Sequence, residues 1–255
     1  MYNNYQEIIL SQVHDNPTEW NFKSNIYYQE ILEHVSETQG YDYLNTIINK
    51  FGTFYNTYKT DLVNMCKEND LYGKPVKFVF CNFTECSPAN LRYILHSLLI
   101  LEFIINKNLN NIDFIEIGGG YGGLCFFLNK ISILFNISIN SYTIFDLYGP
   151  CKLQEKYLKN LGLTNSSSVE LTNLNNLKNN SFLISNYAFS EISNILQKEY
   201  IEKVINPYTK YGFLTWNFIN VYDFVENSII EIEDEYPKTG NNNYYVKFYP
   251  KKNIY

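Results

Sequence analysis

Arginine is almost absent from this chain of 255 residues, because Arg92 is the one arginine among its 20 basic residues. The acidic residues number 26, which gives a formal net charge of −6, and the 19 lysines are scattered along the chain. A nucleic-acid-binding protein needs clustered basic side chains to neutralise phosphates. The composition therefore argues against a nucleic-acid partner, and it marks Arg92 as a residue to follow.

The chain also lacks a long apolar run and a C-x-x-C pair. Its most apolar stretch, residues 94–105, contains His96 and Glu102 and is shorter than the roughly 20 residues that span a bilayer. The first seven residues have neither the basic segment nor the apolar run of a signal peptide. Five cysteines without a paired spacing are typical of reduced intracellular thiols. We therefore expect a cytoplasmic protein with no membrane partner.

Residues 1–107 show the apolar spacing of helices, for example at Ile31, Leu32 and Val35. Ser87 followed by Pro88 predicts the start of a helix that continues to about residue 107. Arg92 and His96 share a face of this helix because they are four residues apart. The sequence thus predicts a helical N-terminal region, residues 1–107, that either caps a site or forms a homodimer.

From residue 108 onward, strand patterns alternate with helix patterns. Strands are expected near 112–117, 141–145, 168–171, 182–185 and 212–216, and helices at 122–135, 148–161 and 190–204. This alternation is typical of an α/β domain with a mostly parallel sheet. The last two strand-like segments, 228–233 and 244–249, are separated by a loop too short for a crossover helix, so we expect them to pair antiparallel at one sheet edge.

The strongest local motif is Ile115-Glu116-Ile117-Gly118-Gly119-Gly120-Tyr121-Gly122-Gly123, a strand that ends in glycines and leads into a helix. Such a turn lets the backbone approach a ligand closely. The glycine spacing is also compatible with a dinucleotide such as NAD. Glu116 at the strand end needs a cation or a set of donors, and Asp146 at the end of the next strand suits two ribose hydroxyls. S-adenosylmethionine (SAM), a cationic nucleoside without a pyrophosphate, fits this pair of carboxylates.

Four ordered segments resemble the sugar O-methyltransferase family, a branch of the class I SAM-dependent methyltransferases. They are Ser87-Pro88-Ala89-Asn90-Leu91-Arg92-Tyr93, the glycine motif, Tyr142-Thr143-Ile144-Phe145-Asp146-Leu147, and Ile184-Ser185-Asn186-Tyr187-Ala188-Phe189-Ser190-Glu191-Ile192. The similarity extends from about residue 72 to the C-terminus. It implies a Rossmann-like fold with a seven-stranded sheet in residues 108–255 and an antiparallel C-terminal hairpin.

The resemblance also implies a set of site residues. The expected cofactor-binding residues are Glu116, Gly118, Gly120, Gly122, Asp146, Leu147, Asn186 and Arg92. We expect Arg92 to bind a carboxylate or phosphate of the cofactor or substrate, with an ion pair to Glu85 or Glu116 as the structural alternative. Tyr93, Tyr121 and Tyr187 are candidates for the substrate pocket, although core packing is the default explanation in a chain with 24 tyrosines.

Transfer to a hydroxyl needs a base or a metal to take the hydroxyl proton. Glu191 is the first candidate, as general base or as ligand of a divalent cation, and complementing a helix N-terminus is the alternative role. His96 is the second candidate, although a histidine on an apolar helix face is often a packed one. No His/Cys cluster with metal-ligand spacing is present, so a metal is not assigned.

The sequence therefore predicts a SAM-dependent O-methyltransferase whose substrate is a sugar hydroxyl of a nucleotide-sugar or glycan. Two alternatives stay open. The acceptor is another small molecule in the first, and the chain is a catalytically silent SAM-fold binding protein in the second.

Overall fold

The computed structural model describes residues 2–32 and 34–251, which form two compact units. The helical unit contains the chain up to residue 110 together with residues 120–138 and 148–164. The sheet unit contains residues 111–119, 139–147 and 165 onward. Both units are therefore discontinuous in sequence. The chain passes from one to the other inside the glycine motif, between Gly119 and Gly120.

The helical unit consists mainly of α-helices of varied length. They are α1 (Tyr2–Val13), α2 (Ile26–Gln29), α3 (Glu37–Lys50), α4 (Gly52–Asn69), α5 (Pro88–Asn106), α6 (Gly123–Leu134) and α7 (Tyr148–Asn160), with 3-10 turns at Pro17–Glu19 and Phe22–Ser24 and a small antiparallel pair, β1 (Phe78–Val79) and β2 (Glu85–Cys86). Helix α3 begins with a capping box, because Ser36 and Gln39 satisfy each other's backbone amides. Helices α6 and α7 belong to this unit although they follow residue 107 in the sequence.

Helix α5 starts at Pro88, where the Ser-Pro pattern predicts a helix start. The Ser87 side chain makes no capping hydrogen bond, and its backbone amide instead donates to Asp70 Oδ2 at 2.8 Å. By length and composition α5 is apolar enough to cross a membrane, but 89% of its most apolar window is buried inside the protein. Its apolar residues thus form the interior of the helical unit.

The sheet unit contains seven strands and four short helical segments. They are β3 (Ile112–Ile117), β4 (Ile139–Phe145), β5 (Ser166–Val169), β6 (Ser181–Asn186), α8 (Ala188–Glu191), α9 (Asn194–Tyr200), a π-helical turn (Ile201–Ile205), α10 (Asn206–Tyr208), β7 (Thr209–Trp216), β8 (Ser228–Asp234) and β9 (Tyr244–Pro250). The strand order is β5-β4-β3-β6-β7-β9-β8. This is the predicted mostly parallel, Rossmann-like sheet of seven strands.

The C-terminal hairpin is confirmed, since β9 pairs antiparallel with both β7 and β8. Strand β8 consequently runs in the same direction as β7, and the carboxyl end of β8 lies at the same edge as those of β3, β4, β6 and β7. The single helix predicted over residues 190–204 is wrong. Ile192 is extended there (φ −75°, ψ 161°), so α8 ends and α9 restarts with Ser193 as its cap.

Candidate functional site

The strand order reverses between β3 and β6, because the chain adds strands outward in both directions from this pair. In open α/β sheets, ligands bind outside the carboxyl ends of the strands at such a reversal. Three predicted site residues lie there: Glu116 near the end of β3, Asp146 just after β4, and Asn186 at the end of β6. The topology therefore brings together side chains that are 70 residues apart in sequence.

Glu116 is fully buried in the sheet unit, with 1% of its surface exposed. Its Oε2 accepts a hydrogen bond from the Tyr142 hydroxyl at 2.9 Å. Burial raises the pKa of the Glu116 carboxyl, the Tyr142 hydrogen bond partly opposes this shift and the charge of Asp146 adds to it, and together they place the pKa at about 8. Without a cationic ligand, Glu116 is therefore held largely protonated at neutral pH.

The start of the glycine motif requires residues without side chains. Gly118 has φ +74°, and a Cβ there would overlap the Cβ of Ala188, which follows β6. A Cβ on Gly119 would lie 2.5 Å from Ile144 Cγ2 and 3.2 Å from Glu116 Oε2. The backbone of this turn therefore lies directly over the Glu116 carboxylate, in a space that any side chain would fill.

Asp146 follows β4 and is half-buried, and its Oδ1 accepts from the backbone amide of Leu147 at 2.8 Å. Leu147 itself is 40% exposed. An acceptor carboxylate beside an exposed apolar side chain is the chemistry that a nucleoside needs, because the ribose hydroxyls are donors and the base is flat and apolar on its faces. The Asp146 carboxylate and the Leu147 side chain therefore fit the cofactor that is predicted from the sequence.

A polar cluster lies at the ends of β6 and β7. Thr215 Oγ1 donates to Asn186 Oδ1 at 2.7 Å, and Asn217 Nδ2 donates to Glu191 Oε1 at 2.7 Å. Ser190 Oγ accepts from the Asn217 backbone amide at 3.1 Å and lies 2.7 Å from Asn217 Oδ1. Glu191 is exposed at the end of α8, so its carboxylate is fixed by Asn217 and open to solvent. Asn217, which directly follows β7, thus connects Glu191 to the carboxyl end of the strand that pairs with β6.

Tyr187 follows β6 with a backbone φ of +69°, which is unusual for a bulky residue. Its hydroxyl donates to Glu235 Oε1 in the β8–β9 loop. Glu235 is buried, and its Oε2 accepts from the amide and hydroxyl of Thr239 (3.1 and 2.5 Å) and from Asn243 Nδ2 (3.1 Å). Four donors from neutral groups therefore hold the Glu235 carboxylate and, through it, Tyr187.

Arg92 and His96 lie in the helical unit, buried on helix α5. Arg92 Nη2 donates to the backbone carbonyl of Leu32 at 3.3 Å. Burial, and then the Arg92 charge, lower the pKa of His96 to about 3, and its ring packs edge-on against Tyr43. His96 is therefore a neutral, packed imidazole. The cofactor contact of Arg92 and the catalytic role of His96 stay predictions.

The second half of the glycine motif also lies in the helical unit. Gly120 and Gly122 have φ +60° and +95°, and the Gly120 carbonyl accepts from Gln154 Nε2 at 2.8 Å. Tyr121 is buried, with the Lys23 ammonium 4.2 Å from its ring centre and Asn69 Nδ2 3.1 Å from its hydroxyl. The contacts with Lys23 and Asn69 therefore hold the Tyr121 side chain, and with it this half of the glycine motif, in the helical unit.

Tyr93 is buried as well, and its ring packs against that of Tyr121 with the centres 6.0 Å apart. Their contacts show packing within the helical unit, so substrate contact by Tyr93 and Tyr121 stays a prediction. Tyr187, by contrast, lies at the carboxyl edge of the sheet.

Sequence reasoning missed Ser190, Asn217, Phe218 and Glu235. A rule that examines the residues just after every predicted strand would have found Asn217, because the strand predicted at 212–216 ends directly before it. The part played by Glu235 has no local signal, because its partner Tyr187 is 48 residues away in the chain.

No three His, Cys, Asp or Glu side chains within residues 2–32 and 34–251 are grouped so that they would hold a metal ion.

Neither a protein-family model nor a curated protein matches the sequence. Solved structures similar to the chain include a protein assigned as a sarcosine dimethylglycine methyltransferase of Galdieria sulphuraria (22% identity, TM-score 0.37, 50% of this chain). The citrinin polyketide synthase CMeT domain gives 11% identity and a TM-score of 0.49 over 66% of this chain. A SAM-dependent methyltransferase from Clostridium acetobutylicum gives 15% and 0.38 over 62% of this chain and 68% of its own.

This chain spans only 48% and 55% of the length of the first two structures. Since all three TM-scores are below 0.5, these similarities carry no argument about function.

Proposed function

We propose that the protein is a SAM-dependent methyltransferase that transfers the methyl group to a sugar hydroxyl. The observation that supports the cofactor most is the convergence of Glu116, the Gly118 turn and Asp146 at the strand-order reversal of the sheet. SAM would supply a methyl group already activated on a positively charged sulfur. The chain's own residues then have three tasks: binding the cofactor, aligning the acceptor oxygen and removing its proton.

Asp146 would bind the ribose hydroxyls, and Leu147 would cover one face of the adenine. Gly118 and Gly119 would give the cofactor access to the backbone, because neither carries a side chain. Glu116 would support the turn from below, and a nearby positive charge on the ligand would favour its ionised form.

Glu191 is our choice for the general base. Asn217 holds its Oε1 at 2.7 Å, so Oε2 is the oxygen that would receive the acceptor's proton. Ser190 fixes the Asn217 amide in turn, which orients its NH₂ group toward Glu191. An oriented base within hydrogen-bond reach of the acceptor contributes typically 10²- to 10⁴-fold to such a reaction. The sugar class itself is supported by the sequence resemblance, which includes Asn186 to Glu191.

Calorimetry with S-adenosylhomocysteine tests the cofactor assignment. We expect Asp146→Asn to weaken binding at least about tenfold, because two charge-assisted hydrogen bonds to ribose are lost. Asp113→Asn is the matched control: Asp113 is also half-buried and lies on the neighbouring strand, but at its amino end, where Ser141 Oγ donates to it at 2.5 Å.

Wild-type protein that fails to bind S-adenosylhomocysteine would refute the proposal. Equal weakening by both aspartate substitutions would instead show a general loss of stability.

If a nicotinamide cofactor binds and S-adenosylhomocysteine does not, the glycine motif is a dinucleotide-binding site instead. Turnover of non-sugar acceptors alone would favour a methyltransferase of another small molecule. Wild-type protein that binds S-adenosylhomocysteine but transfers the methyl group of SAM to no acceptor would favour a silent binding protein. A cytoplasmic location and a homodimer remain our proposals, and light scattering of the purified protein tests the second.

A further inference from the structure

The residue after Asn217 is an exposed aromatic in an unusual backbone conformation. Phe218 is 82% exposed and has φ +59°. The Ile219 amide donates to the Asn217 carbonyl at 2.6 Å, so Phe218 is the central residue of a tight three-residue turn. A left-handed backbone is a genuine outlier for a bulky side chain, and an exposed phenyl ring gains nothing from burial. Folding alone therefore explains neither the conformation nor the exposure of this residue.

The surrounding structure fixes the turn from both sides. On one side, Ser190 Oγ accepts from the Asn217 backbone amide at 3.1 Å. On the other, the buried Trp216 donates its indole N–H to the Ile219 carbonyl at 2.8 Å. A strained conformation persists only where its surroundings determine it in this way, and such conformations cluster at functional sites. The turn thus fixes the backbone from which the Phe218 ring extends into solvent.

The turn lies beside the proposed general base. Asn217, which precedes Phe218, is the residue that holds Glu191, and Asn186 lies at the end of the neighbouring strand β6. A flat aromatic ring next to an amide and a carboxylate is suited to a sugar, since the C–H face of the sugar packs on the ring while its hydroxyls bond to the polar groups. This combination occurs at the edge where the acceptor is expected.

We infer that Phe218 is the acceptor-binding platform, on which the apolar face of a hexose ring packs with a hydroxyl directed to Glu191. This inference rests on the proposed function and makes its sugar assignment specific. Asn217 is the positioning residue that connects platform and base, because its backbone begins the turn and its side chain holds Glu191.

The test compares Phe218→Trp and Phe218→Asn with wild type. Tryptophan keeps a flat aromatic face. Asparagine removes the ring but tolerates a left-handed backbone, so it does not add strain. Ile229→Ala is the control, because Ile229 is also exposed but lies at the amino end of β8, at the opposite edge of the sheet. The probes are the methyl glycosides and the UDP-linked forms of glucose, galactose and N-acetylglucosamine, each with S-adenosylhomocysteine present.

Two measurements are made on each protein: saturation-transfer NMR of the sugar C–H protons, and KM and kcat for methyl transfer from radiolabelled SAM. We expect Phe218→Asn to abolish saturation transfer to the C–H face and to raise the KM for the sugar at least about tenfold. The dissociation constant of Phe218→Asn for S-adenosylhomocysteine should not increase, and its melting temperature should not fall. Phe218→Trp and Ile229→Ala should behave like wild type.

An unchanged KM in Phe218→Asn would overturn the inference, as would a fall in melting temperature that accounts for the lost activity. If none of the six probes binds while S-adenosylhomocysteine does, the platform assignment fails and the cofactor assignment stands. If S-adenosylhomocysteine does not bind to wild type, the proposed function fails first.

Discussion

Glu116→Gln should make the stability of the protein less dependent on pH. The Glu116 carboxyl is buried under the glycine turn, and its pKa is raised from its ordinary value of 4.5 to about 8. Between these two values the unfolded chain has released the proton and the folded chain has kept it. The free energy of unfolding therefore falls as pH rises through this window, by about 1.4 kcal/mol per pH unit.

From pH 5 to pH 8 the window covers three units, so the contribution of Glu116 changes by up to about 4 kcal/mol. Glutamine resembles the protonated carboxyl in shape and can still accept from the Tyr142 hydroxyl, but it does not titrate. We expect the stability of Glu116→Gln relative to wild type to increase by about that amount over the same range.

Urea unfolding at pH 5.0, 6.5 and 8.0, followed by tryptophan fluorescence and circular dichroism together, measures this difference. Trp216 is buried in the sheet unit that contains Glu116 and Trp20 in the helical unit, so the fluorescence reports the unfolding of both units. Glu202→Gln is the control, because Glu202 is an exposed carboxylate of the same unit. A stability difference between wild type and Glu116→Gln that stays constant within about 0.5 kcal/mol over this range would show that Glu116 is not held protonated.

Two further substitutions test the two units. The pKa of His96 is lowered from 6.5 to about 3 by burial and then by Arg92, so the stability it provides is lost as pH falls from 6.5 toward 3. Between pH 7 and pH 4.5, His96→Gln should therefore gain about 3 kcal/mol relative to wild type in urea unfolding, and no gain would contradict a neutral buried imidazole. Gly118→Ala should cost more stability than Gly162→Ala. The backbones are alike, with φ +74° and +76°, but only the new Cβ at 118 overlaps a side chain, that of Ala188. We expect about 1 kcal/mol for Gly162→Ala and about 1–3 kcal/mol more for Gly118→Ala by thermal unfolding; equal losses would argue against the close contact.

Much of the sheet followed from local patterns. Short apolar segments between helices predicted β3 to β7, and the loop of nine residues between β8 and β9 required an antiparallel hairpin. Where the pattern was ambiguous the structure differed. The helix predicted over 190–204 is broken because Ile192 is extended, and apolar spacing does not encode that backbone angle.

Only some of the candidate site residues could be predicted from the sequence. Glu116, Gly118 and Asp146 each stand at the end of a strand in the sequence, and parallel strands bring their carboxyl ends to one edge. Phe218 carried no such signal, since the hydrogen bonds that fix its turn, from the Asn217 amide to Ser190 and from Trp216 to the Ile219 carbonyl, are not visible in the strand pattern. A rule based on strand ends finds residues that the strand itself places at the edge of the sheet. It does not find a backbone conformation that hydrogen bonds from other side chains determine.

The sequence by itself determined the order of strands and helices, the glycine turn and the two carboxylates beside it, because each depends on neighbours within a few residues. The tertiary structure decided which groups share an environment. It buried Glu116 under the glycine backbone, which raises its pKa, and it joined Tyr187 to Glu235 because β8 runs in the same direction as β7. Burial and hydrogen-bond partners depend on contacts between distant segments, and a local pattern does not contain them.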